Sequence, residues 1–256
     1  MRKKGMILAV LSLLLMFPFT GAWADSRYWD FSSGLDMTMF FTYQNNSFTL
    51  NDSGGNLLIS KGSTGPPGEP YYYYGVNSQF LMQGNFDIRV DYNLVSALNP
   101  NDGILLGIMG ALGDPSLKLW RDNVWFTPEN PNPGNAYHAG NFQNTWNGTT
   151  QTTDTYGTLR LQRTDSSVAA SVIHDGVTTP IYTFDFGTPD VFLYMTLIQT
   201  QTSAFGPMAC SWDNLYATAD NFTYPNPVPL PGAFWLLGSG LLGLIPLGRR
   251  KREKNN

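Results

Sequence analysis

Apolar and polar residues alternate in short runs over residues 26–218, and Gly, Pro, Asn and Asp separate the runs. In the clearest run, residues 85–95, every second position is apolar: Phe86, Ile88, Val90, Tyr92 and Leu94. A period of two is typical of a strand that turns one face to a core. No helical stripe of comparable length competes with these runs, so the pattern predicts an all-β body.

Further runs predict the rest of the body. Residues 191–198 are apolar on both faces, as expected of a central strand that is covered on both sides. Residues 158–163 and 168–174 flank Thr164-Asp165-Ser166-Ser167, which predicts a hairpin. Shorter candidate strands cover residues 37–43, 47–50, 56–61, 72–80, 103–112, 117–126 and 181–186. About twelve strands in one domain predict two stacked sheets, a β-sandwich over residues 25–220.

Segments rich in Pro and Gly separate some of these strands. Residues 61–70 and 127–134 predict surface loops. Residues 221–231 predict a proline-rich spacer after the sandwich.

The start of the chain predicts export. Arg2, Lys3 and Lys4 precede an apolar run over residues 6–19, and Ala22-Trp23-Ala24 supplies the small residues that a signal peptidase reads. We therefore expect a signal peptide over residues 1–24 that is cleaved after Ala24. An uncleaved anchor is the alternative, and the short apolar run disfavours it.

The end of the chain predicts a membrane segment. Residues 232–248 contain no ionisable side chain, and at about 1.5 Å per residue they come close to the length that spans a hydrocarbon core of about 30 Å. The cations that follow favour the cytoplasmic side: Arg249, Arg250, Lys251 and Arg252. The pattern predicts a transmembrane helix over residues 232–248, a cytoplasmic tail over residues 249–256 and a body outside the cytoplasm.

The residues before this helix carry a resemblance. Val228-Pro229-Leu230-Pro231-Gly232, the apolar run and the basic end resemble the VPLPA variety of the PEP-CTERM sorting signal, which usually has Ala where this chain has Gly232. The resemblance implies an exosortase, an integral-membrane protease or transpeptidase, as a processing partner. It further implies removal of the tail near the motif and delivery to the surface of a Gram-negative bacterium that makes extracellular polysaccharide. A single-pass anchor that stays in place is the alternative.

Charge narrows the choice of partners. The chain has 15 Lys and Arg against 19 Asp and Glu. Without the signal peptide and the tail, seven cations and eighteen carboxylates remain, a net charge of −11. This acidic body argues against nucleic acid or an anionic membrane surface as a partner.

The single cysteine excludes an intramolecular disulfide. Cys210 stands in the strand-like run Met208-Ala209-Cys210-Ser211-Trp212. This setting favours a small buried hydrophobe over a nucleophile.

One stretch near the start of the body and one near its end are alike in containing Trp and Asp: Trp29-Asp30-Phe31-Ser32 and Ser211-Trp212-Asp213-Asn214-Leu215-Tyr216. These stretches resemble the first and last strands of concanavalin A-like jelly rolls of the laminin-G type. The resemblance implies a jelly roll whose terminal strands lie close together. A fold of this kind does not settle function.

The carboxylates argue against catalysis. A glycoside hydrolase of laminarinase type carries Glu-x-Asp-x-x-Glu, and this body has only Glu69 and Glu129, both in proline-rich loops. Asp87 and Asp91 share one strand face, but roughly 13 Å apart, which is wider than a catalytic pair needs. No catalytic residue is therefore assigned.

Metal and cofactor sites have little support. His138 and His174 are the only histidines and have no metal-ligand spacing. Residues 99–103 form a turn with side-chain oxygens, for which a turn without metal is favoured over a Ca²⁺ site.

Aromatic residues near the predicted loops are the remaining binding signal, because flat rings stack on sugar faces. The candidate glycan contacts are Trp120, Trp125, Tyr137 and Trp146. Core packing is the alternative role for these rings. The sequence favours an exported, non-catalytic surface or matrix protein that contacts extracellular polysaccharide. A glycan-active enzyme and a plainly anchored structural protein are the alternatives.

Overall fold

The computed structural model describes residues 24–44, 48–62, 72–98, 102–111, 116–124, 134–141, 146–199 and 207–224. The chain divides into two units, residues 1–223 and 224–256, and all described strands belong to the first. The predicted signal peptide, sorting motif and transmembrane helix lie outside the described residues. Within the described ranges, no helix combines the length and apolarity needed to cross a membrane.

The described part of the chain forms fifteen strands, and all of their pairings are antiparallel. They are β1 (Asp25–Trp29), β2 (Phe40–Gln44), β3 (Phe48–Asn51), β4 (Leu57–Lys61), β5 (Tyr72–Ser78), β6 (Leu81–Leu94), β7 (Asp102–Gly110), β8 (Ser116–Val124), β9 (Gly134–Asn141), β10 (Trp146–Gln151), β11 (Tyr156–Thr164), β12 (Ser167–His174), β13 (Val177–Asp185), β14 (Val191–Gln199) and β15 (Met208–Thr223).

The strands form two layers. One layer, here the seven-stranded sheet, has the order β2-β5-β14-β7-β8-β9-β10. The other layer, here the β6 layer, has the order β3-β4-β15-β6-β11-β12-β13, and β1 lies beside β15. A single residue pair, Val191 with Met82, joins the two layers. The all-β prediction is confirmed.

The hydrophobic core lies between the layers. On β6, Phe86, Ile88 and Val90 are at most 3% exposed, whereas the polar residues between them are only half-buried. On β7, Ile104 and Leu106 are fully buried. The alternation in the sequence therefore identifies the core face of β6 correctly, because burial of one strand face selects every second residue.

Two further sequence predictions are confirmed. β14 is buried on both faces, with Leu193 at 1% and Tyr194 at 8% exposure, because β5 and β7 flank it and side chains cover both of its surfaces. β11 and β12 form the predicted hairpin, and Thr164 pairs with Ser167 across the turn. Asp165 takes the left-handed conformation there, with φ of 55°, which Asp tolerates better than most residues.

The sequence did not predict β9 and β10. Gly134 belongs to β9 and not to a loop, and most of β9 is buried although it contains small residues and only one large aromatic ring. Residues 125–133 lie outside the described ranges. β13 begins at Val177, four residues earlier than predicted, and it includes Pro180. Proline has no backbone N–H to donate, and an edge strand such as β13 tolerates it.

The end of the sandwich also differs from the prediction. β15 continues to Thr223, three residues beyond the boundary expected at residue 220. The side chain of Phe222 is 8% exposed, and its ring centroid lies 5.4 Å from that of Phe80. This packing in the core holds the end of β15 against the sandwich. β1 pairs with β15 and brings Trp29 opposite Leu215, as the jelly-roll resemblance implies.

Candidate functional site

The two faces of the seven-stranded sheet carry different residues. Strand register aligns Leu105, Trp120 and His138 on one face. It aligns the residues one position away, including Arg121 and Tyr137, on the opposite face. The face that carries Tyr137 is the inner one, because the hydroxyl of Tyr137 lies 2.5 Å from the hydroxyl of Tyr92 in the β6 layer. We call the face with Trp120 the outer face.

The register and the burial locate two of the four aromatic candidates. Trp120 lies on the outer face at 5% exposure, and Tyr137 lies on the inner face at 3% exposure. Sugar stacking needs an open ring face, which neither residue presents, so both rings belong to the packed interior. Trp125 and the side chain of Trp146 lie outside the description, although the backbone of Trp146 begins β10.

Aromatic rings also pack against glycines on the outer face. The ring of Tyr194 occupies the space above Gly107, and the ring of Tyr43 occupies the space above Gly75. The hydroxyl of Tyr43 is hydrogen-bonded to Thr196. The two rings therefore cover the backbone of β5 and β7 at the positions where glycine has no side chain.

A polar chain crosses three strands on the same face. His138 is fully buried, and its Nε2 lies 3.0 Å from Oδ1 of Asp122. Its Nδ1 lies 2.9 Å from Oγ1 of the exposed Thr149. Burial raises the pKa of Asp122, and the nearby His138 and Arg121 oppose that rise. The chain links β8, β9 and β10 through side chains.

An open polar cleft of about 570 Å³ lies where β9 begins and where β10 turns into β11. Its lining among the described residues consists of amides, hydroxyls and one carboxylate: Asn135, Gln151, Thr152, Thr153 and Asp154. These groups both donate and accept hydrogen bonds, so the cleft suits a ligand that carries hydroxyl groups.

Arg121 holds the floor of the cleft from the inner side. Its Nε and Nη2 donate to the backbone oxygen of Asp154 at 2.9 and 2.7 Å, and its Nη1 donates to Oδ1 of Asn135 at 3.0 Å. Tyr137 donates to Oδ2 of Asp154 at 3.1 Å. Burial raises the pKa of Tyr137 to about 12, which keeps it a donor. The turn that carries Asp154 is therefore anchored before any ligand binds.

His174 borders Asp154 from the end of β12. Its Nε2 lies 3.6 Å from Oδ1 of Asp154 and 3.6 Å from Oδ2 of Asp175. Its Nδ1 lies 3.0 Å from the backbone oxygen of Tyr156, whose ring centroid is 4.7 Å from the imidazole. Two carboxylates thus flank one imidazole beside the cleft.

Asp87 and Asp91, the carboxylates weighed as a catalytic pair from the sequence, are not among the residues that line the cleft. Asp87 is on β6 and accepts hydrogen bonds from Arg160 at 2.8 Å and from Arg89 at 2.5 Å. Burial raises the pKa of Asp87, but these two guanidinium groups outweigh it and hold the pKa below its usual value. Asp91 accepts hydrogen bonds from Thr158 and Asn214. Both carboxylates are engaged in contacts within the β6 layer.

The described residues offer no group of three or more side chains suited to hold a metal ion. Asp102, from the turn considered for Ca²⁺, is fully buried at the start of β7, and its charge acts on the nearly buried Lys61. Residues 99–101 of that turn lie outside the described ranges.

Sequence reasoning missed the cleft because its residues come from separate elements. Arg121 is on β8, Asn135 is on β9, and Asp154 follows β10. Only the register of three strands brings them together. The one available signal was the run of polar residues 147–154, which gives hydroxyl and amide groups without a pattern of its own.

The chain matches no protein family model and no curated protein sequence. Its fold is similar to that of lectin I-B4 from Griffonia simplicifolia in its metal-free form, with 11% identity and a TM-score of 0.56 over 78% of this chain and 99% of that one. It is also similar to winged bean acidic lectin complexed with methyl-α-D-galactose, with 10% identity and a TM-score of 0.57 over 77% and 99% of the two chains.

A third similar structure is an enzyme, a prokaryotic β-1,3-1,4-glucanase derived from a mouse hindgut metagenome. It has 10% identity and a TM-score of 0.52 over 77% of this chain and 99% of that one. At such identities the likeness shows the fold alone. The body of this chain is therefore a lectin-type jelly roll.

Proposed function

We propose that this chain is an exported, exosortase-sorted, non-catalytic protein whose jelly roll contacts extracellular polysaccharide through the polar cleft. The observation that carries the proposal is the lining of the cleft by Asn135, Gln151 and Asp154 together with two threonine hydroxyls. Sugar hydroxyls both donate and accept hydrogen bonds, and this lining offers both kinds of partner.

The anchoring of the cleft supports the same proposal. Arg121 and Tyr137 fix the turn at Asp154 from the inside, so little conformational freedom remains to be lost when a ligand binds. A preorganised polar surface favours recognition of flexible chains such as polysaccharides. The fold similarity to lectins, one of them solved with methyl-α-D-galactose, agrees with this role.

A panel of neutral and charged polysaccharides tests the proposal. The exported protein, purified after removal of the signal peptide, should retain at least one polysaccharide on an affinity gel and should release no reducing sugar from it. Binding without turnover supports the proposal. Turnover that disappears in Asp87→Asn or Asp91→Asn would instead support a glycan-active enzyme, the alternative that the glucanase fold similarity keeps in view.

The sorting part of the proposal rests on the motif at residues 228–232 and the basic end. Pro229 and Pro231 fix φ and remove backbone donors, so the chain before the apolar run should be extended and accessible to a protease. Before processing, the protein is anchored in the inner membrane with its body outside the cytoplasm.

Expression in hosts with and without an exosortase tests this step. Loss of the tail and surface release only in the host with the enzyme support sorting. An intact Lys254-Asn255-Asn256 terminus in the membrane fractions of both hosts would leave a plain anchor.

A further inference from the structure

We propose that the cleft prefers polysaccharides with free amino groups over polysaccharides made of uronic acids. This inference rests on the proposed function and adds the charge class of the ligand. Two observations carry it: the engagement of every cation of the body, and the carboxylates at the cleft.

The seven cations of the body all lie within the described residues: Arg27, Lys61, Arg89, Lys118, Arg121, Arg160 and Arg163. Three of them are buried. Lys61 is 3% exposed, Arg121 is 2% exposed and Arg163 is 1% exposed. Arg163 donates to the backbone oxygens of Gly84 and Pro189 at 2.5 and 2.6 Å. None of these three charges reaches the surface.

The other four cations have partners. Arg89 and Arg160 share Asp87, and Nη2 of Arg27 lies 2.8 Å from Oδ2 of Asp25. Lys118 is half-buried, with its Nζ 5.3 Å from the centroid of the Trp120 ring. A uronic acid polymer needs accessible cations for its carboxylates, and the body offers no cation that is both exposed and without a partner.

The cleft itself carries negative charge. The side chain of Asp154 is 25% exposed in the lining, and the side chain of Asp175 is 68% exposed on the far side of His174. Even a protonated His174 neutralises only one of these two carboxylates. The cation of Arg121 lies behind the cleft, where all of its hydrogen bonds go to protein oxygens.

A ligand ammonium in the cleft therefore meets the carboxylate of Asp154, with that of Asp175 beyond His174, and a ligand carboxylate is repelled by the same two groups. The net charge of −11 on the body adds a long-range bias of the same sign. Salt screens both the attraction at the cleft and the long-range attraction to the acidic body, because the Debye length falls to about 8 Å at physiological ionic strength.

Three probes, two of them matched in length and linkage, test the inference by calorimetric titration at about pH 6, where carboxylates are ionised and sugar amines are largely protonated. They are glucosamine oligosaccharides, N-acetylglucosamine oligosaccharides of the same length and linkage, and oligogalacturonate. At low salt we expect the amino form to bind roughly threefold to tenfold more tightly than the acetylated form, and the uronate to bind most weakly. Added salt should reduce the difference.

Variants that remove one carboxylate each test whether the preference for the amino form arises at the cleft. Asp175→Asn should weaken binding of the amino form by roughly twofold to fivefold and leave the acetylated form nearly unchanged. Asp154→Asn should weaken binding of the amino form more than that of the acetylated form, because Asp154 also lines the cleft. Asp185→Asn is the matched control, because Asp185 is exposed at the opposite end of β13 from the residue that pairs with His174. It should change neither titration. Circular dichroism checks that each variant is folded.

The outcomes are distinguishable. Equal or tighter binding of the uronate, or equal affinities for the amino and acetylated forms, would overturn the inference while leaving polysaccharide binding intact. An equal loss in Asp185→Asn would also overturn it, since the effect would then come from net charge alone. Failure to bind any of the three probes, while a polysaccharide of the panel still binds, would overturn the inference alone. Failure to bind both the probes and every polysaccharide of the panel would overturn the proposed function as well.

Discussion

Gly107 and Gly75 show how single residues shape the outer face, because a tyrosine ring occupies the place of a side chain at each position. Gly107→Ala would put a methyl group inside the ring of Tyr194, so we expect a loss of about 1 to 3 kcal/mol in the free energy of unfolding. Urea denaturation measures the loss. Gly62→Ala is the control, since a Cβ there meets no atom within 4 Å and stability should be nearly unchanged. Equal stabilities of the two variants would contradict the packing.

Cys210 provides a second prediction at the residue scale. It is fully buried, and burial raises the pKa of its thiol well above the usual value, so the reactive thiolate is scarce in the folded state. Alkylation at mildly alkaline pH should therefore be slow in the native protein and rapid in denaturant. Fast labelling of the native protein would show that the thiol is accessible and would remove the argument against a nucleophilic role.

At the element scale, Asp87 ties β6 to β11 through Arg160. The pKa of Asp87 is lowered in the folded state, so its stabilising contribution is present above its ordinary pKa of 3.8 and is lost as the pH falls through the folded value. We expect Asp87→Asn to cost about 1 to 2 kcal/mol at neutral pH, with Arg89 adding little because its side chain is 41% exposed. The difference between variant and wild type should shrink below pH 3.8 in urea titrations. A difference that does not change with pH would contradict the ion-pair account.

The last strand gives another prediction at this scale. A chain that ends at residue 220 lacks Phe222, which packs against Phe80 in the core. Compared with a chain that ends at residue 224, it should lose about 3 kcal/mol or more in the free energy of unfolding. Thermal denaturation of the two chains measures this loss. Identical melting temperatures would mean that β15 is complete by residue 220.

Elements also show what the sequence predicts and what it does not. β6 and β14 are long and strongly apolar, so their alternation or continuous burial is visible in the residues themselves. β9 is rich in glycine, alanine and asparagine, so its hydrophobic pattern is weak although most of it is buried. Arg121 meets Asp154 only through the register of β8, β9 and β10, and no local pattern encodes that register.

At the scale of the whole molecule, the jelly roll combines a shared fold with its own charge distribution. The fold is similar to that of lectins and of a glucanase and therefore does not decide between binding and catalysis. The cleft, its internal anchoring and the acidic body are properties of this chain. They support the proposed binding role.

The most direct test of polysaccharide binding at the cleft compares the affinities of the wild-type protein and of Gln151→Ala for a polysaccharide selected from the panel. Gln151 lines the cleft, whereas Gln162 lies on β11 in the other layer, so Gln162→Ala is the matched control. We expect roughly threefold to tenfold weaker binding for Gln151→Ala and unchanged binding for Gln162→Ala. Unchanged affinity in Gln151→Ala, or the same loss in both variants, would contradict polysaccharide binding at the cleft.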